Sequence, residues 1–181
     1  ELIDRGAELM VAPCDFDFGG PASREAQEAD MVGISTCASD PLFSSWSLGD
    51  KQFTLSMWNT TMGAVAADFA CEEKGWKKAY VVTDQFIAYT KSLSKYFQQH
   101  YQDIGCEVIL EDTYTNGDND FSAQLSRLQA LDEKPDVIFL SSYGQDIGVI
   151  IRSLREAGIE APVLGGDAYD DPAMHEALGD K

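Results

Sequence analysis

Apolar and polar positions along this chain form short blocks that change period at each boundary. Residues 9–12 are a brief apolar run stopped by Pro13, which predicts a strand; residues 23–29 carry helical spacing, and residues 31–34 predict a second strand. A loop rich in Ser, Asp and Gly, interrupted by Phe43 and Trp46, covers residues 39–50, and residues 53–57 alternate as a candidate crossing strand. Asn59 is placed to cap a helix with Met62, Val65, Ala66, Phe69 and Ala70 on one face, closed by Gly75. Residues 79–83 form a valine-rich strand, and a helix from about Thr90 buries Leu93, Tyr96 and Phe97 before Gly105. Residues 107–110 predict another strand, and Phe121, Leu125 and Leu128 mark the next helix. Alternation of strand and short one-faced helix predicts an α/β architecture, with each helix lying on a sheet.

Residues 133–167 are the most informative stretch. A strand over 136–140 ends in Ser141-Ser142-Tyr143, a helix follows with apolar Ile147, Ile150, Ile151 and Leu154, and Gly158 closes it. A second strand over 162–164 then ends in Gly165-Gly166-Asp167. Strand, helix and strand at this length require two parallel strands, so Tyr143 and Asp167 emerge at the same carboxyl edge. Open parallel sheets bind small ligands at that edge. An aromatic hydroxyl and a carboxylate there, without a nucleophile or a phosphate loop, point to binding of a small polar molecule.

Composition narrows the classes. The chain has 181 residues, 44% of them hydrophobic, enough for one good core or two small ones. Thirteen basic residues against thirty-one acidic give a net charge of −18, which argues against nucleic acid and anionic membrane surfaces. No apolar run approaches the ~20 residues of a membrane span, and no signal peptide is visible. Glu1 to Gly6 reads as the last turn of a helix, and Gly179-Asp180-Lys181 follows a short helix, so the chain is expected to be cut at both ends. The loop over 39–52 is the one composition shift that marks a boundary. It predicts a partial first lobe over 1–52 and a nearly complete second lobe over 53–181.

Several chemistries have no support. Cys14, Cys37, Cys71 and Cys106 show no CxxC spacing, and His100 and His175 are not interleaved with them, which disfavours a zinc site. Asn116-Gly117-Asp118-Asn119-Asp120 superficially resembles a calcium loop but lacks the closing glutamate; a turn with Asp120 as helix cap explains it better. Neither GxGxxG nor GxxxxGK[ST] occurs. Gly33-Ile34-Ser35-Thr36-Cys37 approaches a nucleophile elbow, yet Cys37 replaces the second glycine, and Asp40-Pro41 stands where a helix should begin. The expectation is a protein that is not an enzyme, with no cofactor and no metal.

Six segments occur in a telling order: Leu9-Met10-Val11-Ala12-Pro13; Ile34-Ser35-Thr36-Cys37-Ala38-Ser39-Asp40-Pro41; Asp84 with Tyr89; Asp118-Asn119-Asp120-Phe121-Ser122-Ala123-Gln124-Leu125; Ser142-Tyr143; and Leu164-Gly165-Gly166-Asp167. Together they resemble the periplasmic substrate-binding proteins of branched-chain amino acid ABC transporters, the leucine/isoleucine/valine-binding type. The resemblance covers essentially all of the chain. It implies the type 1 periplasmic-binding-protein fold, with parallel sheets, helices on both faces and two lobes, the first incomplete. On that plan the chain is an internal piece of a roughly double-length protein. The implied function is an extracytoplasmic solute receptor, periplasmic or lipid-anchored, that captures an amino acid-like ligand between lobes and delivers it to a membrane permease.

The resemblance also implies site residues. The loops Cys14-Asp15 and Cys37-Ala38-Ser39 would hold a ligand's α-carboxylate through backbone amides and the Ser39 hydroxyl, while the Cys37 carbonyl faces its ammonium. Tyr89 and Tyr143 match aromatic residues that close over the ligand, and Asp167 matches the acidic residue that pairs with the ammonium. Asp15 departs from the small residue usual there. Either it turns outward and offers only its backbone, or the ligand is not an α-amino acid. The plainer readings make Tyr89 and Tyr143 rim aromatics, Asp167 a helix cap, and Phe16 and Phe18 packing residues. Cys14 and Cys37 follow the ends of strands expected to be adjacent, so they are disulfide candidates in an oxidising compartment; Cys71 with Cys106 is the weaker pair. The alternative to transport is a ligand-sensing input module of the same fold in a regulatory protein; an enzyme built on a Rossmann-like sheet ranks third.

Overall fold

The computed structural model describes residues 1–118, 120–170 and 172. The chain runs β1 (Leu9–Ala12), α1 (Phe16–Glu28), β2 (Val32–Ser35), α2 (Ser45–Leu48), β3 (Gln52–Thr54) and α3 (Asn59–Asp68), which ends in a π-helical turn, Phe69–Glu73. It continues β4 (Lys78–Asp84), α4 (Ala88–Asp103), β5 (Glu107–Tyr114), α5 (Ser122–Ala130), β6 (Val137–Ser141), α6 (Asp146–Glu156) and β7 (Val163–Leu164), then a 3-10 turn over Asp167–Tyr169. Two wholly parallel sheets result, ordered β1-β2-β3 and β5-β4-β6-β7. No described helix is long and apolar enough to cross a membrane.

The second sheet is a double-sided core. Along β4 and β6 every second side chain faces one layer: Ala79, Val81, Val137 and Phe139 pack with Leu93, Phe97 and Tyr101 of α4. The alternate residues Tyr80, Val82, Ile138 and Leu140 face Phe121, Leu128, Ile150 and Leu154. Burial on both faces is why these strands read as continuous apolar runs. Phe97 lies flat on Phe139, with ring centroids 3.7 Å apart. Gly105 (φ +87°) and Gly158 (φ +75°) turn the chain out of α4 and α6 in the left-handed conformation that glycine adopts without strain. The first sheet is thinner: its buried cluster is Ala12, Ala38, Phe43 and Leu48.

Several expectations change. The first sheet has three strands, not two, because β3 pairs in parallel with β2 (Gly33↔Gln52, Ser35↔Thr54); a lobe edge between 52 and 53 therefore cuts a strand. Helix α1 begins at Phe16 rather than Ser23 and contains Pro21. A short helix, α2, interrupts the loop over 39–50. Asn59 is the first residue of α3, and its amide donates to Tyr89 O (2.9 Å) and Ser92 Oγ (2.7 Å) instead of capping the helix. Asp120 accepts the Ser122 amide at 2.9 Å just ahead of α5, although Phe121 holds the cap position; Asn119 lies outside the described residues. At the start of the chain Arg5 N donates to Glu1 O (3.1 Å) and Gly6 adopts φ +85°. His175 and Gly179 to Lys181 lie outside the described residues.

Candidate functional site

Both sheets direct their carboxyl ends to one region, where the named residues gather. After β2, the Ser35 hydroxyl organises the first loop: it accepts the amides of Ala38 (3.0 Å) and Cys37 (3.4 Å) and donates to Pro13 O (3.3 Å) in the loop after β1. A disulfide between Cys14 and Cys37 joins the same two loops, with Cα atoms 5.0 Å apart. Asp15 follows directly in an extended left-handed conformation (φ 64°, ψ 140°), and its carbonyl accepts the Gly19 amide at 2.8 Å to open α1. Ser39 is buried, and its carbonyl accepts the Asn59 amide at 2.8 Å.

From the second sheet come Tyr89 in the first turn of α4, Tyr143 after β6 and Asp167 after β7. The Tyr89 hydroxyl donates to Asp167 Oδ1 at 2.8 Å and accepts the Ala168 amide at 3.3 Å. The rings of Tyr89 and Tyr143 meet edge to face at 6.3 Å. The Gly165-Gly166 pair makes this close fit attainable. A Cβ on Gly166 would stand 2.4 Å from the Tyr89 hydroxyl, and one on Gly165 would stand 2.1 Å from the Tyr169 ring. Tyr169 is anchored by donation to Leu140 O at 2.8 Å. Asp167 is the first residue of the 3-10 turn, with Gly166 at its cap position.

The two sets meet. Asp17 Oδ2 accepts the Ala88 amide at 2.7 Å, tying α1 to the start of α4. Asn59 joins Ser39 to Tyr89 through its backbone and side-chain amides. Asp15 is only 8% exposed. Burial raises its carboxyl above the ordinary range, and Asp17 and Asp167 add to the rise; hydrogen bonding from Tyr143 opposes it. Tyr89 is likewise pushed up, first by burial and then by the Asp167 charge. Nearby, buried Asp84 is raised by burial while accepting the amides of Phe86 (2.9 Å) and Asn116 (3.0 Å). Among the described residues no group of three or more His, Cys, Asp or Glu is arranged to hold a metal ion.

Of the named residues, Asp15, Tyr89, Tyr143 and Asp167 form one connected cluster, and Ser39 joins it through Asn59. Cys37 contributes its disulfide, while its amide is committed to Ser35. Phe16 packs on the first-sheet core; Phe18 is 55% exposed instead of packed. The sequence reading missed Ser35, Asp17 and Asn59 as members of the region. It also ranked Cys71–Cys106 as the weaker pair, yet these residues form a second, buried disulfide with Cα atoms 6.2 Å apart. Thr54, paired with Ser35 at the end of β3, and Asp17 in the first turn of α1 held the cue: polar residues where a sheet's carboxyl edge was due.

A sequence profile of the family described as "Periplasmic binding protein" matches residues 1–181. Among curated relatives, the Leu/Ile/Val-binding protein BraC3 of Rhizobium johnstonii is 26% identical over 171 residues, covering 94% of this chain and 46% of that protein. Among solved structures, the leucine-binding protein LivK of Thermotoga maritima superposes with a TM-score of 0.89 at 26% identity, covering 99% of this chain and 50% of that one. The LivJ substrate-binding protein of Streptococcus pneumoniae, solved with isoleucine, gives a TM-score of 0.84 at 24% identity over 98% of this chain and 49% of that one, a likeness of fold. The chain thus spans about half the length of the curated relatives it matches.

Proposed function

Because this chain belongs to the periplasmic binding protein family, we propose that it supplies one half of the cleft of an extracytoplasmic solute receptor serving an ABC importer. The receptor captures an amino acid or similar small polar metabolite between its lobes and hands it, chemically unchanged, to a membrane permease. The lobes divide after β3, with residues 1–54 in the first lobe and the rest of the chain in the second.

The observation that carries this reading is the cluster at the facing carboxyl edges of two parallel sheets, where Tyr89 holds Asp167 at 2.8 Å. A carboxylate held in place by a tyrosine hydroxyl is a preorganised acceptor for an ammonium or amide donor, and closing the lobes around it excludes water and strengthens the contact. Asp17 and Asn59 tie the first-lobe loops to the second lobe, and the Ser35 hydroxyl shapes one of those loops, so that both lobes contribute to one ligand.

Calorimetry on the intact polypeptide with a panel of amino acids, amides and amines tests it. Saturable one-to-one binding with the ligand recovered unmodified by mass spectrometry is expected. Asp167→Ala should raise Kd at least tenfold, since a hydrogen bond to a charged group is worth about 1.5–3 kcal/mol. Turnover of the bound molecule, or unchanged affinity in Asp167→Ala, would overturn the reading or remove Asp167 from the site.

A further inference from the structure

The two disulfides sit at opposite ends of the strands. Cys71 lies in the π-helical turn after α3 and Cys106 just before β5, so their bridge is buried at the amino end of the second sheet, within its core. Cys14 and Cys37 lie at the carboxyl end of the first sheet, in the loops that follow β1 and β2. Cys14 is exposed and Cys37 half-buried. Asp15 stands next to Cys14, and Ser39 two residues beyond Cys37, so the bridge joins the two first-lobe loops of the candidate site. Little else sets the distance between those loops. The pairing of β1 with β2 ends at Ala12↔Ser35. Past that pair, a single hydrogen bond among the described residues joins them, from Ser35 Oγ to Pro13 O at 3.3 Å, longer than the usual ~2.5–3.0 Å for a hydroxyl donor. The buried cluster beneath is only Ala12, Ala38, Phe43 and Leu48. A disulfide, by contrast, holds its Cα atoms at one short separation, here 5.0 Å.

We infer that the Cys14–Cys37 disulfide is a positioning bridge for ligand binding: it holds Asp15 and Ser39 at the spacing from which both meet one solute, and its opening by a dithiol lowers affinity without unfolding the protein. This rests on the receptor reading above and adds a control on the same site. Opening is thiol–disulfide exchange. A thiolate of the dithiol attacks one sulfur and the Cys14–Cys37 bond breaks; the reductant's second thiol then resolves the mixed disulfide. Two electrons and two protons end on the Cys14 and Cys37 thiols, and the reductant leaves as its own disulfide. The freed loops must then be ordered at the moment of binding, and that cost is subtracted from the affinity. Asp15 feels the loss most directly, because its positive φ (64°) persists only where neighbours hold it. Tyr89, Tyr143 and Asp167 stay in place on the second sheet, which keeps its own bridge and core.

The test compares four forms of the intact polypeptide: the oxidised wild type, the wild type after mild treatment with dithiothreitol, Cys14→Ser/Cys37→Ser and Cys71→Ser/Cys106→Ser. Differential alkylation and peptide mass spectrometry identify which bridge is open. L-Leucine, L-asparagine, L-glutamate, 3-methylbutylamine and putrescine are screened by calorimetry, and the one bound most tightly by the oxidised wild type serves as probe, with a wider metabolite panel supplying it if none of the five binds. Opening Cys14–Cys37, by reduction or by substitution, should raise the probe's Kd at least tenfold. It should also speed amide exchange at Gly19, Cys37 and Ala38 while Val81, Val82 and residues 137–139 keep their protection. Cys71→Ser/Cys106→Ser should lower the melting temperature and change Kd less than tenfold, which separates positioning from stability. A Kd shift below tenfold with Cys14–Cys37 open would overturn the inference while leaving the receptor reading intact. So would a tenfold loss in the Cys71→Ser/Cys106→Ser variant as well, or unfolding whenever Cys14–Cys37 alone is open, since stability would then account for the effect. If the oxidised wild type binds nothing in either panel, the receptor reading falls, and this inference with it.

Discussion

At Asp15 the backbone adopts a conformation (φ 64°, ψ 140°) that residues with a Cβ resist, and it does so with a nearly buried carboxylate beside two others. Such a backbone state costs on the order of 1–3 kcal/mol and persists where neighbours over-determine it, here the adjacent disulfide at Cys14. Asp15→Gly should therefore stabilise the protein by about 1–2 kcal/mol at neutral pH, read as a rise in melting temperature. The pH dependence separates strain from charge. The folded-state pKa of Asp15 is raised above 3.8, so its protonation favours the folded state. That stability is fully present below about pH 4 and is lost as pH climbs through the raised value. The gain from Asp15→Gly should thus be smallest in acid and grow toward neutrality; a gain that does not change with pH would leave strain as the whole effect. Tyr143 and Asp167 were legible in the sequence because strand ends announce themselves. Asp17 and Asn59 were not, since their partners lie 71 and 30 positions away and no local pattern encodes such a pairing.

Among the elements, strands and helices with one clear period were legible, and the misreadings have physical causes. The helix was expected from Ser23, yet Phe16 to Ala22 form the start of α1. Gly19 is needed because a Cβ there would come within 2.5 Å of the Pro13 carbonyl, so the glycine marks close approach and not a break. The alternation over 53–57 announced a strand there, but β3 is only Gln52–Thr54, and its pairing with β2 sets those bounds. The two disulfides close loops of 23 and 35 residues, each worth roughly 3–4 kcal/mol by loop-closure entropy. They differ in access: Cys14 is exposed, whereas Cys71 and Cys106 are 1% and 7% exposed. Under native conditions with a mild thiol reductant, Cys14–Cys37 should open first, as read by differential alkylation and peptide mass spectrometry. Simultaneous opening would mean that global unfolding, and not access, governs reduction.

For the whole molecule, burial divides unevenly between the two sheets. In β4 and β6 nearly every residue is buried, whereas Leu9 and Val11 of β1 are 56% and 69% exposed. On the other edge of the same sheet Leu55 is exposed, and exposed Phe53 and Met57 line a groove of about 480 Å³. Open strand edges with apolar flanks invite association. The 181-residue chain expressed alone should therefore self-associate through its first sheet, and amides of Val81, Val82 and residues 137–139 should exchange more slowly than those of β1. A monodisperse monomer with uniform protection would contradict this. The parallel α/β plan was legible from alternation alone; the size of the first core was not, because it depends on residues packed from far along the chain. The bond from Asp17 to Ala88 has one more consequence. It links the lobes through groups of the protein itself, so some of the free energy of closure is available before any solute arrives. In the receptor proposed above, an empty molecule would then spend part of its time shut, and solute binding would change the shut fraction by less than in a receptor without that tie. Discrimination between full and empty molecules must accordingly rest on how long the shut state lasts, a lifetime that the solute prolongs.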